Sequence, residues 1–384
     1  MNIAVLGTGT VGVMSVLHFL RYMPDAKIDC IFNPKKDILG IGESSNTQLP
    51  QLLWESVDYN TFGDSKELDS TIKFGVLYKN WRENDFVSPI LPNGYAMHFN
   101  NFNLSNSMFE RAKNKYGKRF KVIHENVKNY QQTEKNVKVL FDKNSKTYDY
   151  VIDCRGYPED YSDYHICKPL LLNRCFVNMI KKPGDWAYTY HQAHENGWMF
   201  GIPLTTRQGW GYLFNDKITT EEEAVKDINK IFKSNLEKKD LRDFKFKAYR
   251  AKKFLNHRVI RNGNRAIFYE PMEALSGGYY DNVNRFFYDY INNNMTEKGV
   301  NDILNLKAKQ YENFICYVYS NGSIYQTDFW KKVKHLSNEH LDITKNMEWK
   351  DTLSQIAINK EDLYFTWPFY LKSWNCLMEG FKND

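Results

Sequence analysis

The first segments of the chain alternate between short apolar runs and a longer stretch of helical pattern. Residues 2–6 are a short apolar run, which predicts a buried strand. Residues 13–22 have a helical pattern, and residues 27–32 predict a second strand. Because a strand, a helix and a strand in this order indicate a parallel βαβ unit, we predict an α/β fold.

The α/β pattern continues along the chain. In the middle region we predict a helix over 105–116 and strands over 121–125, 137–141 and 148–152. Thr220 and Glu223 make a capping box, which predicts a helix over 221–236. The segment from residue 292 onward has a helical pattern and contains four tryptophans, which are Trp330, Trp349, Trp367 and Trp374.

Length and composition are those of a soluble globular protein of one or two lobes. The chain has 384 residues, of which 42% are hydrophobic and 26% are charged. The net charge of +6 is spread along the chain, which predicts a mildly basic surface and no nucleic-acid-binding face. Such a surface favours an anionic cofactor or substrate. No run of about 18 uninterrupted apolar residues occurs, so we predict no membrane span.

The cysteines and histidines do not have the spacing of a metal site. No two of the six cysteines have CxxC spacing, so neither a zinc site nor a dithiol is expected. His191 and His194 would share a face if their segment were helical, but no HExxH motif or paired acids accompany them. We therefore predict a structural or solvated role for both histidines, no metal, and a reduced protein of the cytoplasm.

A glycine-rich turn follows the first predicted strand directly. Residues 7–12 read Gly-Thr-Gly-Thr-Val-Gly, the GxGxxG pattern of dinucleotide-binding folds, and a predicted helix follows them. In this pattern Gly7 permits the tight turn, Gly9 lets the backbone approach a pyrophosphate, and Gly12 lets helix and strand pack closely. Thr10 stands at the helix N-terminus, whose free N–H groups hold phosphates. A glycine-rich turn without a ligand is the alternative.

Further positions fit the same kind of cofactor. At the end of the second predicted strand such folds usually have an acid for the ribose hydroxyls, and this position carries Asn33, with Phe32 as the alternative. Asparagine can hydrogen-bond a ribose but brings no charge. Residues 40–45, Gly-Ile-Gly-Glu-Ser-Ser, make a sharp loop that can lie against a flat ring, although its serines alone would read as helix caps. The cofactor candidates beyond the first turn are Asn33, Gly40, Gly42, Glu43, Ser44, Asp153 and Gly156.

Three more segments carry candidate chemistry. Residues 198–203, Trp-Met-Phe-Gly-Ile-Pro, predict either a rigid apolar wall or ordinary core. Lys73 lies in a mainly apolar strand pattern, where desolvation would lower its pKa below about 10.4; snorkelling from an edge strand is the alternative. Glu273 lies in Glu-Pro-Met-Glu-Ala-Leu-Ser-Gly-Gly and, on its own, would read as a surface or helix-capping acid.

Taken together and in this order, these segments resemble flavin-dependent halogenases of the tryptophan-halogenase type. Residues 198–203 match the Trp-x-Trp-x-Ile-Pro signature of that family except at Phe200, where the family usually has a second tryptophan. Lys73 stands eight residues before Trp81, as the essential lysine of the family does before a tryptophan. Glu273 matches the glutamate of a Pro-Leu-Glu-Ser-Thr-Gly type of sequence, although the tail here is one residue longer. The resemblance spans residues 2–280, and the shorter chain is similar to a cyanophage-type viral halogenase.

The resemblance implies a fold and a division of the chain. The fold is a Rossmann-like FAD-binding fold of the monooxygenase type, a two-dinucleotide-binding-domain flavoprotein with a mixed sheet and a smaller helical substrate lobe. Residues 1–290 would form an FAD-binding box domain, and residues 291–384 a helical lobe that caps the substrate site. An aromatic-lined core without a capping role is the alternative for the second segment.

The resemblance also implies an activity and its partners. A separate flavin reductase would supply FAD as FADH2, and the reduced flavin and O2 would oxidise a halide to hypohalous acid. The acid would pass through a tunnel to Lys73, which halogenates a small electron-rich aromatic substrate of the indole or phenol type. No nucleic acid or membrane is expected as a partner, and a homo-oligomer is left open.

Within that mechanism each candidate residue receives a role. Lys73 donates a hydrogen bond to the acid or carries the halogen as a haloamine, and Glu273 stabilises the cationic ring or takes its proton. Ser276 and Gly277 are placed at the halide, and the smaller Phe200 implies a preference for bromide or iodide. The tunnel residues are Trp198, Phe200, Ile202 and Pro203.

Two other functions fit part of the pattern. An FAD-dependent aromatic hydroxylase would share the cofactor-binding segments and would need no essential Lys73. A non-catalytic flavin-binding protein would keep the fold alone.

Overall fold

The computed structural model describes residues 1–36, 40, 43–90, 94–358 and 371–382. Gly42 and Trp367, which the sequence analysis singled out, lie outside these residues. The α-helices are α1 (Thr10–Tyr22), α2 (Gln48–Val57), α3 (Ser65–Leu68), α4 (Asn101–Tyr116), α5 (Glu221–Phe232), α6 (Leu275–Ile291), α7 (Glu297–Asn321), α8 (Asp328–His340), α9 (Met347–Ile358) and α10 (Leu371–Gly380).

The strands follow the chain in 21 segments of the described residues. They are β1 (Asn2–Leu6), β2 (Lys27–Phe32), β3 (Thr71–Lys73), β4 (Gly75–Lys79), β5 (Phe86–Pro89), β6 (Ala96–His98), β7 (Phe120–His124), β8 (Asn129–Gln132), β9 (Val137–Leu140), β10 (Ser145–Tyr148), β11 (Tyr150–Asp153), β12 (Tyr164–Ile166), β13 (Arg174–Ile180), β14 (Tyr188–His194), β15 (Gly197–Pro203), β16 (Gln208–Phe214), β17 (Arg242–Lys245), β18 (Tyr249–Ala251), β19 (Leu255–Asn256), β20 (Val259–Arg261) and β21 (Ile267–Phe268).

The N-terminal βαβ unit forms the centre of a six-stranded sheet, in the order β19-β20-β11-β1-β2-β7. The five strands from β20 to β7 are all parallel, and only β19 is antiparallel. In chain order these five strands read 3-2-1-4-5 from β7 to β20, which is the order of a dinucleotide-binding sheet. The predicted Rossmann-like fold is therefore confirmed.

A second, mixed sheet of seven strands contains the aromatic segment 198–203 as β15, in the order β17-β13-β16-β15-β14-β4-β5, whereas β3 with Lys73 pairs with β6 in a separate two-stranded sheet. All its pairs are antiparallel except β4 with β14. In the register of this sheet, Tyr78 on β4 lies opposite His191 on β14, and His191 lies opposite Phe200 on β15. Because directly opposite residues point to the same face of a sheet, these three side chains share one face.

Most predicted elements are present with shifted ends. The first two strands match their predicted bounds, and α4 begins four residues before its predicted start at 105. The run predicted as one strand over 148–152 is divided between β10 and β11, because β10 pairs with β9 in a small sheet and β11 pairs with β1 in the large one. The segment around His191 is strand β14 and not a helix. The burial of its side chains alternates with the two-residue period of a strand. Strand β14 is also paired on both edges, with β4 and β15.

The described residues after 296 contain helices α7 to α10 and no strand. Trp330 of α8 packs edge-on against Trp81 with ring centroids 5.1 Å apart, and Tyr319 of α7 lies 6.1 Å from the same ring. Trp330, Trp349 and Trp374 are all buried. The aromatic side chains of this helical region therefore pack directly on Trp81, in the turn between β4 and β5.

All six cysteines are unpaired, and five of them are buried; only Cys376 is partly exposed. Burial raises the pKa of every one of these thiols above its ordinary value. In this arrangement the buried cysteines fill space as small apolar side chains.

Candidate functional site

The turn between β1 and α1 has the shape of a phosphate cradle. Gly7 has φ +112°, and a Cβ at Gly12 would lie 2.1 Å from the carbonyl oxygen of Gly7, so both positions require glycine. A Cβ at Gly9 would meet no atom within 4 Å, so the backbone there faces open space. The first turn of α1 has no acidic residue, which leaves its N–H groups and partial positive charge available to an anion. The turn fits the pyrophosphate of FAD.

Two other predicted cofactor residues, Gly156 and Asp153, differ in whether protein groups already contact them. Gly156 has φ +85° and faces open space, as a close backbone approach requires. Asp153 is fully buried and accepts two hydrogen bonds of 2.8 Å from Arg155. Desolvation opposes its ionisation, but the hydrogen bonds and charge of Arg155 and the charge of Arg265 hold the pKa of Asp153 below its ordinary value. Asp153 therefore fixes the positions of Arg155 and Arg265 at this edge of the sheet.

Thr10 and Asn33 already have protein partners. The Thr10 hydroxyl donates to the Asn101 side-chain oxygen at 2.6 Å. The Asn33 side chain accepts from the backbone N–H of Lys35 at 2.9 Å and donates to Asn126 at 3.2 Å. The asparagine in place of an acid thus closes its own turn, which leaves part of its hydrogen-bonding capacity for a ribose.

Of the described residues in the segment 40–45, Ser44 contacts the second sheet, through the Thr189 hydroxyl on β14 at 3.1 Å. Gly40 has φ +59°, and a Cβ there would meet the Phe102 ring at 2.7 Å. Glu43 is buried, receives the backbone N–H of Asn101 at 3.0 Å and pairs with Arg207 at 2.6 Å. Burial still raises the pKa of Glu43, against the opposing effect of Arg207. The helix-cap alternative for the serines is wrong, because α2 begins only at Gln48 with Thr47 before it.

Lys73 is buried at the end of β3, with only 2% of its surface exposed. Its ammonium group donates to the Ser44 hydroxyl at 3.1 Å and to the Ser45 carbonyl at 3.3 Å. Burial lowers the pKa of Lys73 below its ordinary value, and the charge of Glu273 opposes that shift. Lys73 therefore does not snorkel to solvent, and the predicted reduction of its pKa is confirmed.

Glu273 is brought to the same region from a loop 200 residues later in the chain. Its carboxylate accepts from Tyr78 at 2.8 Å and from the Ser88 hydroxyl. Burial raises the pKa of Glu273, while Lys73 and Tyr78 oppose the rise. The ammonium group of Lys73 donates to Ser44 and Ser45, whereas Glu273 accepts from Tyr78, so among the described residues the two groups affect each other's pKa through their charges.

The backbone that presents Glu273 is strained. Glu273 has φ 56° and ψ 12°, and Ala274 has φ 54° and ψ 32°, so two consecutive residues with side chains are left-handed. Each such residue costs about 1–2 kcal/mol relative to the right-handed conformation. Strain of this kind is concentrated at functional sites, where the surrounding structure maintains it.

The aromatic block at 198–203 is strand β15, and all seven residues of that strand are buried. Trp198 donates its indole N–H to the Tyr319 hydroxyl at 2.8 Å. The tip of the Phe200 ring occupies the space beside Gly211, where a Cβ would be only 2.2 Å from Cζ of the ring. Pro203 accepts a hydrogen bond of 2.7 Å from Thr71, two residues before Lys73, so the end of β15 is tied to the lysine strand. Ile202 belongs to the same buried core.

Ser276 and Gly277 lie in the first turn of α6. That turn has no acidic residue and no side-chain cap, so its N–H groups are not occupied by a capping side chain. A Cβ at Gly277 would lie 3.5 Å from the Asn46 side chain, which brings the loop after Ser45 next to this helix end. The arrangement offers polar N–H donors to a small anion.

The sequence did not single out the residues that connect these groups. Tyr78 joins β4 to Glu273, and Thr189 bridges Ser44 at 3.1 Å and His98 at 2.9 Å. His191, predicted to be structural or solvated, is buried among them. The sequence signal for these residues was the two-residue alternation along 188–194, which predicts a strand with Thr189 and His191 on one face.

Within the described residues, no group of three metal-ligating side chains is close enough to hold a metal ion. In the same part of the chain no helix is both long and apolar enough to cross a membrane.

Comparisons with known proteins agree with this architecture. A family model described as "Tryptophan halogenase" matches residues 2–89 and 82–383. The chain is 27% identical over 145 residues to tryptophan 7-halogenase KtzQ of Kutzneria sp. (strain 744), a match that covers 34% of this chain and 27% of KtzQ. The matched part is thus about a quarter of the length of that relative.

Two solved structures have the same fold. The tryptophan halogenase from Shewanella frigidimarina aligns with a TM-score of 0.81 at 16% identity, over 99% of this chain and 88% of that one. BrvH, a flavin-dependent halogenase from Brevundimonas sp. BAL3, aligns with a TM-score of 0.81 at 16% identity, over 99% of this chain and 90% of that one.

Proposed function

This chain belongs to the tryptophan halogenase family, and we propose that it is a flavin-dependent halogenase that acts on a small electron-rich aromatic compound. The observation that carries the proposal is the buried Lys73, held at 3.1 Å from Ser44 and electrostatically linked to Glu273. A buried lysine without an ion-pair partner is costly to maintain, and such groups are concentrated at functional sites.

The cofactor proposed is FAD, delivered in reduced form by a separate flavin reductase. When bound, it supplies with oxygen the oxidation of a halide to hypohalous acid. The residues that would hold it are Gly7, Gly9, Gly12 and Gly156. The positions of Gly7 and Gly12 have no room for a side chain, and the backbone of Gly9 and Gly156 faces open space. The N–H groups of Ser276 and Gly277 would hold the halide.

Lys73 receives the hypohalous acid in this proposal. Two of the three N–H groups of its ammonium donate to Ser44 and Ser45, so the third can donate to the oxygen of the acid and polarise the halogen. Because burial lowers the pKa of Lys73, the neutral amine is also accessible, and it can carry the halogen as a haloamine. Both routes keep the electrophile at a fixed position.

Glu273 acts on the substrate ring. The ring becomes cationic when it attacks the halogen, and a carboxylate held by Tyr78 and Ser88 stabilises that charge and takes the ring proton. The raised pKa of Glu273 makes it a stronger base than an exposed glutamate.

In this proposal an apolar wall separates the compartment of the flavin from that of the aromatic substrate. The wall is formed by Trp198, Phe200, Ile202 and Pro203. Its residues are buried and fixed by the Trp198–Tyr319 and Thr71–Pro203 hydrogen bonds. In this proposal only a species as small as hypohalous acid passes along it, so the aromatic substrate does not reach the flavin and halogenation replaces hydroxylation.

One assay tests the proposal. Reduced FAD, oxygen, each halide and a panel of phenols and indoles are supplied, and the products are followed by mass. A halide-dependent mass shift supports the proposal. Hydroxylated product without halogen would assign the chain to the hydroxylases, and bound flavin without turnover would make it a non-catalytic flavin-binding protein.

Halogenation is expected to fall as the pH decreases through the pKa of Glu273. Protonation below that pKa removes the base, and because burial raises it, the midpoint of the acid limb lies above about 4.3, the ordinary value for glutamate. Initial rates at saturating reduced FAD measure the profile. The alkaline limb starts below about 10.4, since the pKa of Lys73 is lowered. A falling alkaline limb indicates hydrogen-bond donation, and a rising one a haloamine.

Glu270 provides the control for this profile, because it is a second buried carboxyl with a raised pKa, about 8. Glu270→Gln is expected to leave the acid limb in place, whereas Glu273→Gln removes it along with most of the activity. An unchanged acid limb in Glu273→Gln would contradict the role of Glu273.

Phe200→Trp is expected to shift the halide preference toward chloride. The Phe200 ring is in contact with Gly211, and the larger indole must occupy space along the wall, which favours the smaller halide. Competition between chloride, bromide and iodide in one reaction measures the change. Met199→Leu, a substitution of a buried neighbour on the other face of β15, is the control. Equal halide ratios in wild type and Phe200→Trp would reject a selective wall.

A further inference from the structure

His191 is a buried polar side chain at this site that the proposed mechanism does not use. It lies on β14 with no exposed surface, and neither ring nitrogen has a hydrogen-bond partner. Burial and the charge of Lys73 hold its pKa well below the ordinary value, so the ring is neutral. A neutral imidazole has one N–H donor and one lone-pair acceptor, and here both are unsatisfied.

The ring contacts the aromatic wall and the tyrosine that holds Glu273. Its centroid is 4.8 Å from the Trp198 ring of the wall and 5.3 Å from the Tyr78 ring, which holds Glu273. Lys73 is close enough for its charge to act on the imidazole. His191 thus contacts the wall on one side and the support of Glu273 on the other.

The surroundings restrict what can satisfy these nitrogens. The ring contacts are aromatic, and a buried polar group in apolar surroundings is unfavourable unless a ligand or a water completes its hydrogen bonds. A free halide ion would be poorly stabilised by a neutral ring in such a place. A small neutral molecule with one donor and one acceptor matches the imidazole, and hypohalous acid has that character.

We propose that His191 hydrogen-bonds hypohalous acid between the wall and Lys73 and directs it to the lysine. This inference rests on the proposed halogenase function. The acid donates its O–H to one ring nitrogen or accepts the N–H of the other, and no covalent bond to His191 is formed. Loss of the imidazole would allow more acid to leave the site before it meets Lys73.

The test is the partition of the oxidised halide between the aromatic product and free hypohalous acid. Wild type and His191→Phe are supplied with reduced FAD, oxygen, bromide, and indole or phenol as probe, with a 1,3-diketone in solution to trap free acid. His191→Phe is expected to shift the product-to-trap ratio toward the trap by about fivefold to tenfold, the range of one neutral hydrogen bond. FAD affinity and thermal stability are expected to stay near wild type.

Two further variants separate this role from packing. His191→Asn keeps a donor and an acceptor and is expected to recover much of the wild-type ratio, whereas His191→Leu repeats the loss if the phenylalanine variant fails to fold. His194→Phe is the matched control, because His194 is a buried histidine of the same strand, three residues away and therefore on the opposite face. It is expected to leave the ratio unchanged.

The failures are distinguishable. If wild type halogenates neither probe nor trap, the proposed function fails and this inference with it. A change of less than about twofold in the product-to-trap ratio is smaller than the contribution of a weak hydrogen bond. If wild type is active and His191→Phe changes the ratio by less than that, the role of His191 is rejected while the proposed function stands.

Discussion

Lys73→Met is expected to reduce halogenation of the aromatic substrate by about 10²–10⁴-fold, the usual contribution of a positioned catalytic group. Methionine has a similar length and fills the same buried space, but it can neither donate to hypohalous acid nor carry a halogen. FAD binding and release of hypohalous acid into a trap are expected to continue, since the glycine cradle and the α6 N-terminus are unaffected. Product mass and trap halogenation measure the two outcomes in one reaction.

The stability of the same variant separates chemistry from folding. Replacement of a buried charge by an apolar side chain is often neutral or stabilising, so the free energy of unfolding is expected not to decrease. Lys79→Met, on β4, the next strand along the chain, with a partly exposed side chain, is the control and is expected to retain activity. Regioselective halogenation at the wild-type rate in Lys73→Met would remove Lys73 from the mechanism.

Gly12→Ala is expected to destabilise the fold, whereas Gly9→Ala is expected to leave its stability unchanged. The new methyl group at Gly12 would lie 2.1 Å from the Gly7 carbonyl oxygen, a backbone atom that cannot move aside, so the variant is expected to lose about 1–3 kcal/mol of stability and most of its FAD binding. The methyl group at Gly9 meets nothing within 4 Å. The FAD-free Gly9→Ala protein is therefore expected to be as stable as wild type and to bind FAD more weakly, because the open space is where the pyrophosphate lies.

Thermal unfolding without FAD and flavin titration with FAD measure the two effects separately. Gly63→Ala, where the nearest atom to the new methyl group is 3.8 Å away, is the control for glycine substitution as such. Unaltered FAD affinity in Gly9→Ala would show that the cofactor phosphates lie elsewhere.

The parts of the fold that local rules govern were predictable. The first strand, the glycine turn and the first helix are contiguous, so residues 2–22 specify their own geometry. Lys73 was recognisable because a charged residue in an apolar strand is unusual, and its burial with a lowered pKa follows from that pattern.

The connections between the candidates depend on long-range packing and were not predictable. Tyr78 meets Glu273 across 195 residues, and nothing local in either segment indicates the contact. The histidines of β14 were considered as a helical pair because three-residue spacing is visible in the sequence, whereas the pairing of β14 with β4 and β15 is not. The left-handed backbone at Glu273 and Ala274 is likewise maintained by tertiary structure, since neither residue favours it.

The buried, protonated cysteines are expected to protect the protein from oxidation by hypohalous acid, the oxidant of the proposed reaction. Hypohalous acid oxidises thiolates rapidly, and the damage proceeds to acids that are not reduced again. Burial raises the pKa of all six thiols, so almost none is present as thiolate at neutral pH. Because only Cys376 is reachable from solvent, oxidant that escapes the site is expected to attack that thiol first, and the thiols of the core outlast it.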